Sequence, residues 1–186
     1  GLAILAFSQK ALKATETSTS RRAFLSLQDQ INSNKDGYTP YTPSTPMLHG
    51  LRASLDLLLD EGMDNVYARH HRLGEGVRRA VAAWGLKICA EAGVESDTVT
   101  AIVVPEGKDA RDVISIAFNK YNISLGAGLS ILSGKVFRIG HIGDMNDVSL
   151  LGAIAGVEMA LLDSGINITA GSGVAAALEY YRSTAN

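Results

Sequence analysis

The 186-residue sequence contains a single cysteine, Cys89. One thiol closes no internal disulfide and builds no cysteine metal cluster, and such scarcity fits a reducing compartment such as the cytoplasm. Charge of one sign is nowhere concentrated: 17 Lys and Arg stand against 19 Asp and Glu, spread along the chain. That balance argues against nucleic acid or a membrane surface as a partner. No apolar run reaches the length of a membrane span. The histidines lack ligand spacing. His70 and His71 are adjacent, so on a helix they point about 100° apart, and His49 and His141 have no carboxylate or histidine where a metal would need one. There is no G-x-S-x-G, no Walker A and no G-x-G-x-x-G at a strand–helix junction. The chain opens on Gly1 without the basic start and cleavage site of a signal peptide, and reads as beginning in mid-domain.

What is present is a globular composition. Apolar residues make up 46% of the chain, enough for a domain of this length to bury roughly 70% of its unfolded surface. The opening run GLAILAF reads as a buried strand that needs partners, and Ser8 starts a short helix through Ala14. A polar stretch, TETSTSRR, and a mixed segment to Asn34 read as connection. Proline is rare but clustered, with three of the four in Lys35 to Pro46, KDGYTPYTPSTP. That segment excludes helix and inner strand, and its hydroxyls make it a stiff, donor-rich loop, suited to an anion or to a plain linker.

Thr45 and Pro46 suit the cap and first position of a helix whose Leu48, Leu51, Leu55 and Leu58 recur until Gly62. Asp64 caps a second helix, with Val66, Leu73, Val77, Val81 and Trp84 on one side and Gly85 at its end. Beyond it, strands LKICAEA, VTAIVVP, NISLGAG and KVFRIGH are interleaved with helices, one capped near Asp109 and one opened by Asn146 or Asp147. A last helix runs from about Gly173 to Arg182. The pattern predicts one small sheet backed by helices, an α/β sandwich.

One strand carries an arginine among apolar residues. Period-2 alternation puts Val136, Arg138, Gly140 and Ile142 on one face and Phe137, Ile139 and His141 on the other. An unpaired guanidinium there is costly, so Arg138 either closes a salt bridge, with Asp144 or Glu158, or awaits an anion. Gly140 leaves open space beside it, where a small carboxylate could meet the fork through two charge-assisted hydrogen bonds. Lys10, in SQK, reads as an exposed lysine before it reads as a Schiff-base nucleophile. Cys89, in an apolar strand with no adjacent base, reads as an inert core thiol. The run LGAGL, Leu125 to Leu129, is too weak a pattern for a phosphate loop.

Three stretches together carry a resemblance: GLAILAFSQKAL, YTPSTPMLHGLRASLDLLLDEGMDNVYARH, and SLGAGLSILSGKVFRIGHIGDMNDVSLLGAIAGVEMAL. The sequence resembles the class V, fold-type I pyridoxal-phosphate aminotransferases, in the serine–glyoxylate and alanine–glyoxylate branch, over almost its whole length. The resemblance implies the end of a large cofactor-binding domain and a connecting loop in residues 1–45, a helix joining the domains in 46–63, and a small C-terminal α/β domain in 64–186. By its register the cofactor lysine precedes Gly1, so no catalytic residue is expected within the chain, and Lys10 is a decoy. Arg138, in RIG, corresponds to the arginine that grips the substrate α-carboxylate. Thr42, in YTP, corresponds to a threonine that reaches the cofactor phosphate of the other subunit. A tyrosine shares that task three residues earlier in relatives. Here that position is Thr39, with Tyr38 and Tyr41 close by, and Tyr38 is the candidate.

The implied chemistry is transamination with pyridoxal 5′-phosphate between small amino and keto acids, from serine or alanine to glyoxylate. The implied assembly is a homodimer that includes the N-terminal half of the same protein, without nucleic acid or membrane. The rival reading is a stand-alone α/β regulatory or interaction domain in which Arg138 binds an effector carboxylate or closes a salt bridge.

Overall fold

The computed structural model describes residues 2–185 and divides them into two compact units, one up to Glu61 and one from Gly62 onward. The first unit is helical. Helix α1 (Gln9–Thr17) is capped by the Ser8 side chain, which accepts from Ala11 N–H. It runs one turn further than its apolar residues suggest. Helix α2 (Leu27–Asn34) lies where the sequence reads as connection; Ser26 caps it through Asp29 N–H. Helix α3 (Thr45–Glu61) follows the proline loop, and none of its described residues is buried.

Over its described residues the opening run forms no strand. Leu2–Phe7 has no ladder partner among the described residues and is exposed; Gly1, the first residue of that expected strand, lies outside them. A strand exists only through pairing, and among the described residues this unit contains no other strand to complete it.

The second unit is the α/β sandwich. Helix α4 (Met63–Ala83) buries Val66, His70, Leu73, Val77 and Val81. Gly85, at φ 72°, turns the chain out of it in a left-handed conformation that a side chain would disfavour. The sheet then assembles β1 (Lys87–Ile88), β2 (Val99–Val103), β3 (Gly126–Ala127) and β4 (Val136–Gly140), in the order β1-β2-β4-β3 and antiparallel throughout. The outer strands have two residues each, much shorter than LKICAEA and NISLGAG suggest. At a sheet edge only one flank offers hydrogen bonds, and the pairing lapses as the chain turns away.

Helix α5 (Ala110–Tyr121) is capped by Asp109, whose carboxylate accepts from Arg111 N–H and the Arg111 guanidinium. Those bonds hold the Asp109 carboxyl down at about 2. Helix α6 (Asp147–Asp163) opens with a reciprocal capping box between Asn146 and Ser149. Helix α7 (Ser172–Ser183) lies against α4, where Gly76 leaves room for the Tyr181 ring and the Tyr181 hydroxyl donates to Leu73 C=O at 2.9 Å. Ile102, Phe137 and Ile139 on the inner sheet face join Leu150, Ile154, Val157 and Leu161 of α6 in one core. Burial of each such side chain is worth roughly 1.5–3 kcal/mol.

Cys89 is exposed, not a core thiol. It follows β1, where alternation turns Ile88 toward the helices and leaves Lys87 and Cys89 facing out.

Candidate functional site

The alternation that buries Phe137 and Ile139 sends Arg138 to the opposite sheet face. Its register neighbours there are Ala101 on β2 and Gly126 on β3, so the guanidinium stem is flanked by one methyl and by no side chain. A Cβ built at Gly140 would meet nothing within 4 Å, which leaves the strand end beside Arg138 open. Neither salt bridge weighed from the sequence forms. Asp144 is exposed, and Glu158 is committed elsewhere, to Trp84 Nε1 and to the backbone N–H groups at the start of α7. Among the described residues Arg138 has no hydrogen bond or ion pair, and its Nε is buried and unpartnered. A buried donor without a partner costs about 1–3 kcal/mol. The ladder imposes that cost, because the register set by the apolar face leaves residue 138 no other direction.

The strand end is tied to its surroundings by hydrogen bonds. His141 is fully buried: its Nδ1–H donates to Asp97 C=O at 3.0 Å and its Nε2 accepts from the Thr100 hydroxyl at 2.9 Å. His70 Nδ1–H donates to Val66 C=O at 2.7 Å while its Nε2 accepts from Gly143 N–H at 3.0 Å. Arg69 adds a bond to Gly143 C=O at 2.8 Å. Burial, with Arg78 and His70 nearby, pushes the His141 imidazole below its ordinary value, against a smaller upward pull from Asp97. The sign follows. The unfolded chain binds the proton first, so His141 stabilises the fold above the unfolded value of about 6.5 and loses that contribution as pH falls below it. The thermal midpoint is expected to drop between pH 7.5 and 5, and to drop less in His141→Gln. Equal slopes for both proteins would refute this.

The remaining candidates sit on the proline loop. Helix α2 ends in a reverse turn in which Tyr38 N–H donates to Ser33 C=O at 3.1 Å and Gly37 N–H to Asn34 C=O at 3.1 Å, with Gly37 at φ 75°. This is a Schellman closure, and it delivers Tyr38 at a fixed place after the helix. Thr39 commits its hydroxyl to Tyr41 C=O at 2.6 Å, and the Tyr41 ring rests on Phe24 with centroids 5.1 Å apart. Tyr38 and Thr42 are exposed and, among the described residues, make no side-chain hydrogen bond. Lys10 lies exposed on α1. Arg138 belongs to the second unit, Thr42 and Tyr38 to the first. Sequence reasoning missed Gly126, whose only signal was its place in LGAGL. No group of three or more His, Cys, Asp or Glu among the described residues could hold a metal ion. Nor is any described helix long and apolar enough to cross a membrane.

No family model matches the chain. Whole sequences do. The chain is 56% identical to a serine–glyoxylate aminotransferase of Methylorubrum extorquens over 98% of its own length and 47% of the relative's. It is 50% identical to an L-aspartate–glyoxylate aminotransferase of Paracoccus denitrificans, over 99% and 47%. Among solved structures, the pyridoxamine–pyruvate aminotransferase of Mesorhizobium loti superposes with a TM-score of 0.87 at 31% identity, covering 96% of this chain and 47% of that one. The chain thus spans about half the length of the curated relatives it matches. Identity at this level across nearly every residue, with the same fold beneath it, settles the lineage: the chain belongs to the class V aminotransferases of fold type I, as their C-terminal half.

Proposed function

We propose that the full-length protein transfers the amino group of serine or alanine to glyoxylate, giving glycine and hydroxypyruvate or pyruvate, with pyridoxal 5′-phosphate as cofactor. The observation that carries this reading is Arg138: a buried, unpaired Nε on a sheet face without a competing carboxylate. Such a fork suits the one group that amino donor and keto acceptor share, the α-carboxylate. Arg138 would hold that carboxylate and so fix the direction of the Cα–H bond to be broken.

Pyridoxal phosphate, when bound, supplies the electron sink and carries the amino group from donor to acceptor. On this chain the hydroxyls of Thr42 and Tyr38 fit its phosphate. Both are uncommitted, both are exposed, and proline and a capped helix end restrict the loop that bears them. The assembly we infer is a homodimer in which Thr42 serves the neighbouring subunit's cofactor. Residues 1–45 would close the large domain, 46–63 would join the domains, and 64–186 would form the small one. The lysine that binds the cofactor is assigned to the half of the protein that this chain does not span, and the location we infer is the cytoplasm.

The test is an assay of the full-length enzyme with glyoxylate and serine, alanine or aspartate in turn, followed by borohydride reduction and peptide mapping. Glycine is expected from serine or alanine, with the reduced cofactor on a lysine outside residues 1–186. Absence of glycine from every donor would refute the reaction, and a label on Lys10 would refute the division of labour.

A further inference from the structure

LGAGL, too weak for a phosphate loop, acquires a different meaning once β3 pairs with β4. Gly128 is explained locally: a Cβ there would overlap Leu132 C=O and crowd Val136. Gly126 is different. Its backbone is not in the left-handed region, so the strand itself does not require glycine. What a side chain would meet is Arg138. A Cβ at residue 126 would lie 3.1 Å from Arg138 Cβ, 3.1 Å from its Nε and 3.5 Å from its Cζ. The arginine side chain is laid across the backbone of Gly126, and its Nε is buried there.

We infer that Gly126 is a positioning residue: the missing side chain at this register position sets the direction in which Arg138 presents its guanidinium, and hence the fit of a substrate carboxylate. This rests on the reading of Arg138 as the carboxylate site. Arg138 Cβ is fixed to the central ladder, so a methyl at 126 cannot push the whole side chain away. The contact with that Cβ is relieved by a shift of a few tenths of an ångström in the short edge strand β3, while those with Nε and Cζ are relieved by the torsions beyond Cβ, which turn the fork. Ala101, on the other flank, brings only one methyl. Alanine or valine suits an extended backbone at least as well as glycine does, which offsets the small shift that the Arg138 Cβ contact asks of β3.

The experiment measures steady-state kinetics, cofactor absorbance and thermal midpoint in the full-length enzyme for Gly126→Ala, Gly126→Val, Arg138→Ala and the double variant Gly126→Ala/Arg138→Ala. A misplacement on the order of 1 Å costs up to about 100-fold. We therefore expect KM for the amino donor to rise about tenfold in Gly126→Ala and about 100-fold in Gly126→Val, with cofactor absorbance and midpoint retained. Because Gly126 acts only through Arg138, Gly126→Ala is expected to change KM less than about twofold when Arg138 is already alanine. An unchanged KM in both Gly126 variants overturns the inference. So does an equal rise in the presence and absence of Arg138, or a loss of cofactor and midpoint in step with activity. An unchanged KM in Arg138→Ala overturns the carboxylate reading itself, and the inference with it. Failure at Gly126 alone is distinguished from that outcome by a raised KM in Arg138→Ala.

Discussion

Arg138→Ala in the full-length enzyme is expected to raise the KM for amino donor and keto acceptor about 100- to 200-fold, with cofactor binding retained. The magnitude follows from the two charge-assisted hydrogen bonds a fork makes with a carboxylate. Together they are worth about 3 kcal/mol after solvent competition, and 1.4 kcal/mol is about one decade in affinity. Arg138→Lys keeps a point charge but loses the planar fork, so an intermediate rise of about tenfold is expected. Thermal stability supplies an independent sign. In the free protein Arg138 leaves a buried Nε without a partner, so its removal takes away a cost and no bond. The midpoint of Arg138→Ala is expected to equal or exceed that of the parent. A loss of stability with KM unchanged would show that Arg138 serves the fold, and the carboxylate role would be abandoned.

The placement of Arg138 was legible because alternation is local. Phe137 and Ile139 declare which face is buried, and residue 138 must then take the other. Its neighbour Gly126 was not legible, since a cross-strand partner twelve positions away depends on a register that no local pattern states. The same limit hid the antiparallel order of the sheet. Helix α2 escaped notice for the opposite reason: LQDQINSN has almost no apolar periodicity, and only the cap at Ser26 announces it. GLAILAF misled because hydrophobicity signals burial and says nothing of whether pairing strands are at hand. Thr42 and Tyr38 stand apart from all of these. Nothing in the spacing of a proline loop names a phosphate, and only the resemblance to a known family pointed to them.

The largest expected effect on stability lies away from Arg138, at Glu158. This carboxylate is only 4% exposed, in the middle of α6, a place where an isolated charge would be untenable. It is held by four donors: Trp84 Nε1 at 3.0 Å, Gly173 N–H at 3.1 Å, Val174 N–H at 3.3 Å and Gly171 N–H. Three of these are backbone groups at the start of α7, where Gly171 occupies the cap position and offers no side chain. Glu158 therefore does from another helix what Asp or Ser does from the cap, and its negative charge meets the positive end of the helix dipole. The close approach requires Gly173, because a Cβ there would overlap the Trp84 indole nitrogen. Glu158→Ala strands all four donors at once, and water has little access to replace the acceptor. The expected cost is about 3–5 kcal/mol, the scale seen when one partner of a buried charged network is removed. Glu158→Gln keeps one carbonyl but turns an amide N–H₂ toward N–H donors, so about half of that loss is expected. Chemical denaturation followed by Trp84, the only tryptophan among these 186 residues, reads both variants through the group that Glu158 contacts. Midpoints within about 0.5 kcal/mol of the parent would mean that α7 finds its cap elsewhere.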